Sequence, residues 1–189
     1  MKKQEKIDIL QRGIDEKQMC RCYFSYDDNY CYYYPNRVND RFFLGQEEDD
    51  FLLDGYCIRK LSQLKKVELR EDKCGEINRL LGVTDQIADP GIDISSWQSI
   101  FQDLMERDYY IILEDENNGQ LEIGRITKVL KDRIYFLSFD ADGVWAETDE
   151  EFIIRYGQIT TVRWETRYVE RWRQYLEGEL TGENYDTSI

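Results

Sequence analysis

A chain of 189 residues without a single histidine has already given up Ser-His and Cys-His nucleophile activation, proton shuttling near neutral pH and every zinc motif that needs imidazole. Five cysteines are the next candidates: Cys20, Cys22, Cys31, Cys57 and Cys74. None of them makes the paired C-x-x-C spacing of a zinc ribbon. Alternation puts Cys20 and Cys22 on one face of a strand, where small buried hydrophobes are expected. Residues 62–65, SQLK, fit the Ser-x-x-Lys pattern of some acyl-transfer enzymes, but the matching stretch GQIT at 157–160 keeps the strand pattern with neither Ser nor Lys. A strand-entry turn explains both. Residues 140–151, DADGVWAETDEE, begin like a calcium loop, yet the glycine stands at position four of the loop and a valine at position five. That spacing predicts a hairpin turn instead. No G-x-G-x-x-G or G-K-[ST] phosphate cradle is present. Carboxylates are abundant, but no pair is singled out for acid and base work. The sequence thus predicts no catalytic residue, no metal and no cofactor, and a chain that is not an enzyme.

Two aromatic features point to binding. Residues 30–38, YCYYYPNRV, place tyrosines on both faces of one strand. A small barrel buries one face only, so Tyr30, Tyr32 and Tyr34 are candidate contact residues: tyrosine brings a large area at little entropic cost. Residues 163–175, RWETRYVERWRQY, place Arg167 and Arg171 four apart on a helix, with Trp172 on the apolar side. Glu165 and Glu170 dilute that basic patch, and the expected arrangement is a solvated helix docked by Tyr168 and Trp172.

Thirty-nine acidic against 25 basic side chains leave a formal charge of −14. The excess is uneven. Residues 91–189 carry 21 acidic and 10 basic side chains, a net −11, and residues 1–90 carry 18 and 15, a net −3. Such a field repels phosphate backbones and anionic lipid head groups and favours basic partners. No apolar run is long enough to span a bilayer, and the first ten residues, MKKQEKIDIL, lack the apolar stretch of a signal peptide. The expected location is the cytoplasm, where an odd number of cysteines is at home.

The elements that must position these residues are written twice. QLKKVEL at 63–69 matches QITTVRW at 158–164 in its order of polar and apolar residues. The match extends downstream, CGEINRLLG (74–82) over VERWRQYLE (169–177), setting Ile77 against Trp172, Leu80 against Tyr175 and Leu81 against Leu176 on one helical face. Upstream, NDRFFL (39–44) lies over KDRIYF (131–136), and residues 8–20 over 99–111. Each half therefore begins and ends with helix. In the second half Ser95 and Gln98 suggest a capping box before the stripe Trp97, Ile100, Phe101, Leu104 and Met105. In the first, Gly13 weakens the stripe of Ile7, Leu10 and Ile14.

Between the helices each half reads as a meander of short strands: 19–26, 30–38, 41–47, 51–59 and 64–70, then 109–115, 120–131, 133–140, 150–156 and 159–165. Asp54-Gly55, Asn118-Gly119 and Asp142-Gly143 are candidate hairpin turns, and Pro35 marks a bend or an edge. The predicted class is mainly β with flanking helices (α+β), as two tandem small barrels related by internal duplication. Their expected bounds are 1–82 and 96–177, with 83–95 as linker and 178–189 as a frayed tail.

A helix followed by a five-stranded bent meander resembles the Sm-like and SH3-like small barrels, and DGYCIRKLSQLKKVEL (54–69) is similar to a motif in uncharacterised bacterial proteins built from two such units. The Sm-like resemblance implies RNA binding through loop residues that include Asn and a basic Gly-containing turn. IRKLSQL (58–64) and IRYGQIT (154–160) have single arginines and no Asn, so RNA binding is not carried over. The expected function is a cytoplasmic protein-interaction module with a basic protein as partner, and with neither DNA nor membrane. Its alternatives are an acidic neutraliser or mimic of a toxin or nucleic-acid-binding protein, and an Sm-like RNA binder.

Overall fold

A computed structural model describes residues 1–27, 29–147 and 151–180. The first half runs α1 (Lys3–Asp15), β1 (Cys20–Phe24), β2 (Tyr30–Val38), β3 (Phe42–Asp49), β4 (Leu52–Lys60), β5 (Leu64–Leu69) and α2 (Lys73–Leu80). The second runs α3 (Trp97–Glu106), β6 (Ile111–Asp115), β7 (Gln120–Val129), β8 (Arg133–Ser138), β9 (Phe152–Arg155), β10 (Thr161–Trp164) and α4 (Arg167–Leu176). The α+β class expected from the sequence is the class observed. The ten strands form one antiparallel sheet in the order β5-β1-β2-β3-β4-β10-β6-β7-β8-β9. Each half thus lays its last strand beside its first and then meanders, so the strand order of the first half recurs in the second.

Two closed barrels are not what forms. The sheet is open and continuous, because β4 finds its partner across the halves: Tyr56 pairs with Trp164, Cys57 with Arg163, Ile58 with Val162 and Arg59 with Thr161. An exposed strand edge is a row of unpaired donors and acceptors. The β4–β10 joint satisfies two such edges at once and leaves β5 and β9 at the ends of the sheet.

Side-chain alternation at the joint gives the sheet a core on each face. On β3 and β4, Phe43 and Cys57 point into a first core with Leu10 of α1, Cys20, Cys22, Phe24, Tyr33, Leu64 and Val67. Their neighbours Phe42, Leu44, Tyr56 and Ile58 point the other way, into a second core with α3, Ile111, Leu113, Ile134, Phe136, Val162 and Trp164. Tyr56 stacks on Trp164 with ring centroids 5.4 Å apart, and Phe42 meets Trp97 edge-on at 4.7 Å. Each such buried side chain contributes on the order of 2 kcal/mol relative to exposure. The two halves are therefore held by apolar burial as well as by backbone pairing.

Residues 83–95 do more than link. They contain a helical turn at Val83–Asp85, and Val83, Ile92 and Ile94 are buried. Three side chains of the β2–β3 region fasten the segment: Asn36 donates to the Ala88 carbonyl at 2.9 Å, Arg37 to Asp89 at 2.6 Å, and Asn39 to the Ile94 carbonyl at 2.7 Å.

Three local expectations change. The cap of α3 is Ser96, whose hydroxyl accepts from the Ser99 amide, rather than Ser95 with Gln98. Gly55 does not turn a hairpin: the β3–β4 turn is Asp50-Phe51, with φ of 50° and 66°, and Gly55 lies inside β4 with φ of 67°. A Cβ at Gly55 would overlap the Trp164 carbonyl oxygen, so the glycine is required by the joint. The stripe expected to bury α2 is exposed, with Leu80 at 80% and Leu81 at 61%, while Asn78 is buried and donates to Glu48 at 3.4 Å.

Two local expectations hold. Asn118-Gly119 turns the β6–β7 hairpin, and Pro35 sits at the register shift of β2. In α1, Gly13 lies where a Cβ would press on Cys20 Sγ and the Pro35 ring, each at 2.8 Å. That close approach offsets its poor helix propensity. No helix among the described residues is long and apolar enough to cross a membrane. Of the expected tail, residues 181–189 lie outside the described residues.

Candidate interaction surfaces

The outer face of β5, β1 and β2 is an ordered array. Register sets Arg21 beside Tyr32 and Glu68, and Tyr23 beside Tyr30 and Lys66. The Arg21 guanidinium lies over the Tyr30 ring at 4.6 Å and the Tyr32 ring at 5.5 Å, and bonds the Tyr32 hydroxyl at 3.0 Å. Arg70 lies over the other part of this face, 3.9 Å from the Tyr32 centroid. Cation–π contacts of this kind stabilise by about 0.5–1 kcal/mol at exposed sites. Tyr30 is 44% exposed, and Tyr32 is half-buried. Tyr34 is covered instead: it is 1% exposed and packs with Met19 and Val83 under the linker. The segment after β5 folds back across this end of β2, which strand alternation cannot reveal.

The second surface is on α4. Thr166 caps the helix, accepting from the Val169 amide, and Val169 is the fully buried anchor. Tyr168, expected to dock the helix, is 56% exposed. Tyr168, Trp172 and Tyr175 fall at i, i+4 and i+7, one face of the helix. Trp172 meets Tyr168 and Tyr175 edge-on, at 6.5 and 6.0 Å, and leans on Phe139 at 5.1 Å. These rings floor a groove of about 420 Å³, rimmed by Asp142 and Arg171. Arg171 is exposed and donates to Gln174 at 3.0 Å. Arg167 belongs elsewhere: it bonds Asp49 at 2.8 Å and Asp54 at 3.3 Å, tying α4 to the first half. The two arginines paired by spacing thus serve different ends.

A polar network that sequence reasoning missed lies on one face of the joint. Arg59 is 1% exposed and lies over the Phe24 ring at 4.2 Å. Its Nη1 meets Asp27 at 3.1 Å and Glu116 of the second half at 3.4 Å. Arg163 bridges the halves likewise, 3.8 Å from Glu47 and 3.3 Å from Glu114. Burial pushes Glu47 and Glu116 above the ordinary carboxylate range, with Arg163 and Arg59 opposing it. No local signal marks Arg59, since its partners lie 32 positions before it and 57 after it along the chain.

Among the described residues no three acidic or thiol side chains converge as a metal-ligand group. All five cysteines are free, with Cys20, Cys22 and Cys57 buried. Burial pushes the Cys20 thiol up to about 12 and the Cys31 thiol to about 11. The thiolate is the reactive form, so a thiol reagent in native buffer is expected to modify the partly exposed Cys74 first, Cys31 only slowly, and to spare the three buried cysteines. Peptide mapping by mass spectrometry checks this; rapid modification of Cys22 or Cys57 would contradict the packing.

These surfaces sit on an α+β chain built around one ten-stranded antiparallel sheet. Comparison with family models, with curated proteins and with solved structures finds no match to this chain.

Proposed function

We propose that this chain is a protein-interaction module without catalytic activity, built from two copies of one small barrel-like unit, whose second half receives a basic protein in the cytoplasm. The observation that supports it is the α4 groove: three aromatic rings with Asp142 and Arg171 at the rim, on the half that carries the net −11. Lysine and arginine of a partner would find ring faces for their cationic heads and a carboxylate at the rim. The long-range field would steer such a partner in. Tyr168 and Tyr175 are spare for this purpose, since neither belongs to a core.

The test uses oligolysine, oligoglutamate and mixed single-stranded RNA as immobilised probes, at low and high salt. Oligolysine should be retained at low salt and released at high salt. Tyr168→Ala with Tyr175→Ala should weaken it about 30-fold, the effect of a contact worth about 2 kcal/mol. Retention indifferent to both tyrosines would reduce the reading to non-specific charge attraction and sink it. A second reading rests on the Tyr30, Tyr32 and Arg21 face, whose rings and cations suit the stacking of single-stranded RNA. RNA retention lost in Tyr30→Ala would replace the first reading with this one.

A further inference from the structure

The two ends of the sheet are matched to each other. In strand order β9 holds in the second half the place that β4 holds in the first, and β5 holds in the first the place of β10. β4 and β10 are joined, whereas among the described residues no strand pairs with the outer edge of β5 or of β9. We propose that copies of this chain associate head to tail, β9 of one copy adding to β5 of the next in the antiparallel register of the β4–β10 joint.

The residues support the fit. Aligning Gln63 with Gln158 places Ile153 at the position of Ile58 and Val67 at that of Val162. Ile58 and Val162 are paired and fully buried. Ile153, however, is 52% exposed on β9, with Phe152 beside it at 46%. An apolar edge of this kind is unusual on a single copy, because free edges are ordinarily blunted by charge. The receiving side is open too. Between α1 and β5 lies a groove of about 560 Å³, its apolar wall Ile9 and Leu69 and its rim the polar side chains Lys2, Gln4, Glu5, Asp8 and Arg12 of the α1 side. The corresponding space beside α3 and Trp164 is filled by Tyr56 and Phe42. Main-chain pairing would supply affinity, and Ile153 and Phe152 specificity. The contact is heterologous, so each copy keeps one free end until a ring closes or a chain terminates.

This inference does not rest on the basic-partner reading, since Tyr168 is at neither edge. Sedimentation velocity over a range of concentrations should show mass rising above that of a single chain, unchanged by Tyr168→Ala. Ile153→Lys damages the β9 edge, and Leu69→Lys damages the groove beside β5. Each variant alone should sediment as a single chain, whereas their mixture, holding one intact β5 edge and one intact β9 edge, should stop at dimers. Phe152→Lys serves as a second β9 variant, and circular dichroism checks that each variant keeps its strands. Single chains at every concentration of the wild type, or assembly untouched by the edge variants, would overturn the proposal.

Discussion

Arg59→Ala is expected to cost the fold about 3–5 kcal/mol, read as a lowered midpoint in urea. The alanine removes a charge that holds Asp27 and Glu116 at the joint and leaves both carboxylates beside a space once filled by a stacked guanidinium. Loss of packing adds to loss of pairing, since the Arg59 guanidinium is buried over the Phe24 and Tyr33 rings. The pH dependence separates the two contributions. The folded-state pKa of Glu116 is raised above its unfolded value by burial, so this group disfavours the fold above that pKa. The disfavour fades as pH falls through the folded pKa towards the unfolded one. Without Arg59 it grows, so the deficit of the variant should shrink on mild acidification. A deficit constant with pH would mean that packing alone is lost.

Gly55→Ala is expected to cost about 3 kcal/mol, and to do so by opening the joint rather than by loosening one half. The position needs φ of 67° and has Trp164, Glu165 and Thr166 backbone where a Cβ would stand. The adjacent Asp54 accepts from the Arg167 amide at 2.6 Å, so a shift of β4 there also disturbs the start of α4. Gly119→Ala is the control, with φ of 64° and nothing within 4 Å of an added Cβ. It should cost only about 1 kcal/mol. Equal losses in thermal melts of the two variants would show that the joint tolerates the extra atom.

The strand segments, the helices and the class were legible because period and turn chemistry are local. The strand read at 41–47 is observed at Phe42–Asp49. What lies beside it was not legible. A pattern of short strands preceded by a helix permits closure of each half on itself or pairing between halves, and local sequence does not distinguish them. The misreading of Gly55 has the same origin. As an Asp-Gly pair it announces a turn, but its glycine answers to the Trp164 carbonyl more than a hundred positions away along the chain. Of the five candidate residues, Tyr30 and Arg171 are exposed, Tyr32 is half-buried, Tyr34 is covered and Arg167 is bonded across the halves. Alternation specifies a face. It cannot specify what folds over that face.

A sheet with a core on each face of β3 and β4 also bears on which substitutions this chain can accept over time. A strand with one wet face accumulates changes there freely, and β8 is of that kind, its residues buried and half-buried by turns. At Phe42, Phe43 and Leu44, and again from Tyr56 to Arg59, both faces of the strand are covered. Neither parity of position is released to vary. Variation should therefore gather on the half-buried positions of β8 and spare β3 and β4, although β3 and β8 hold corresponding places in the strand order.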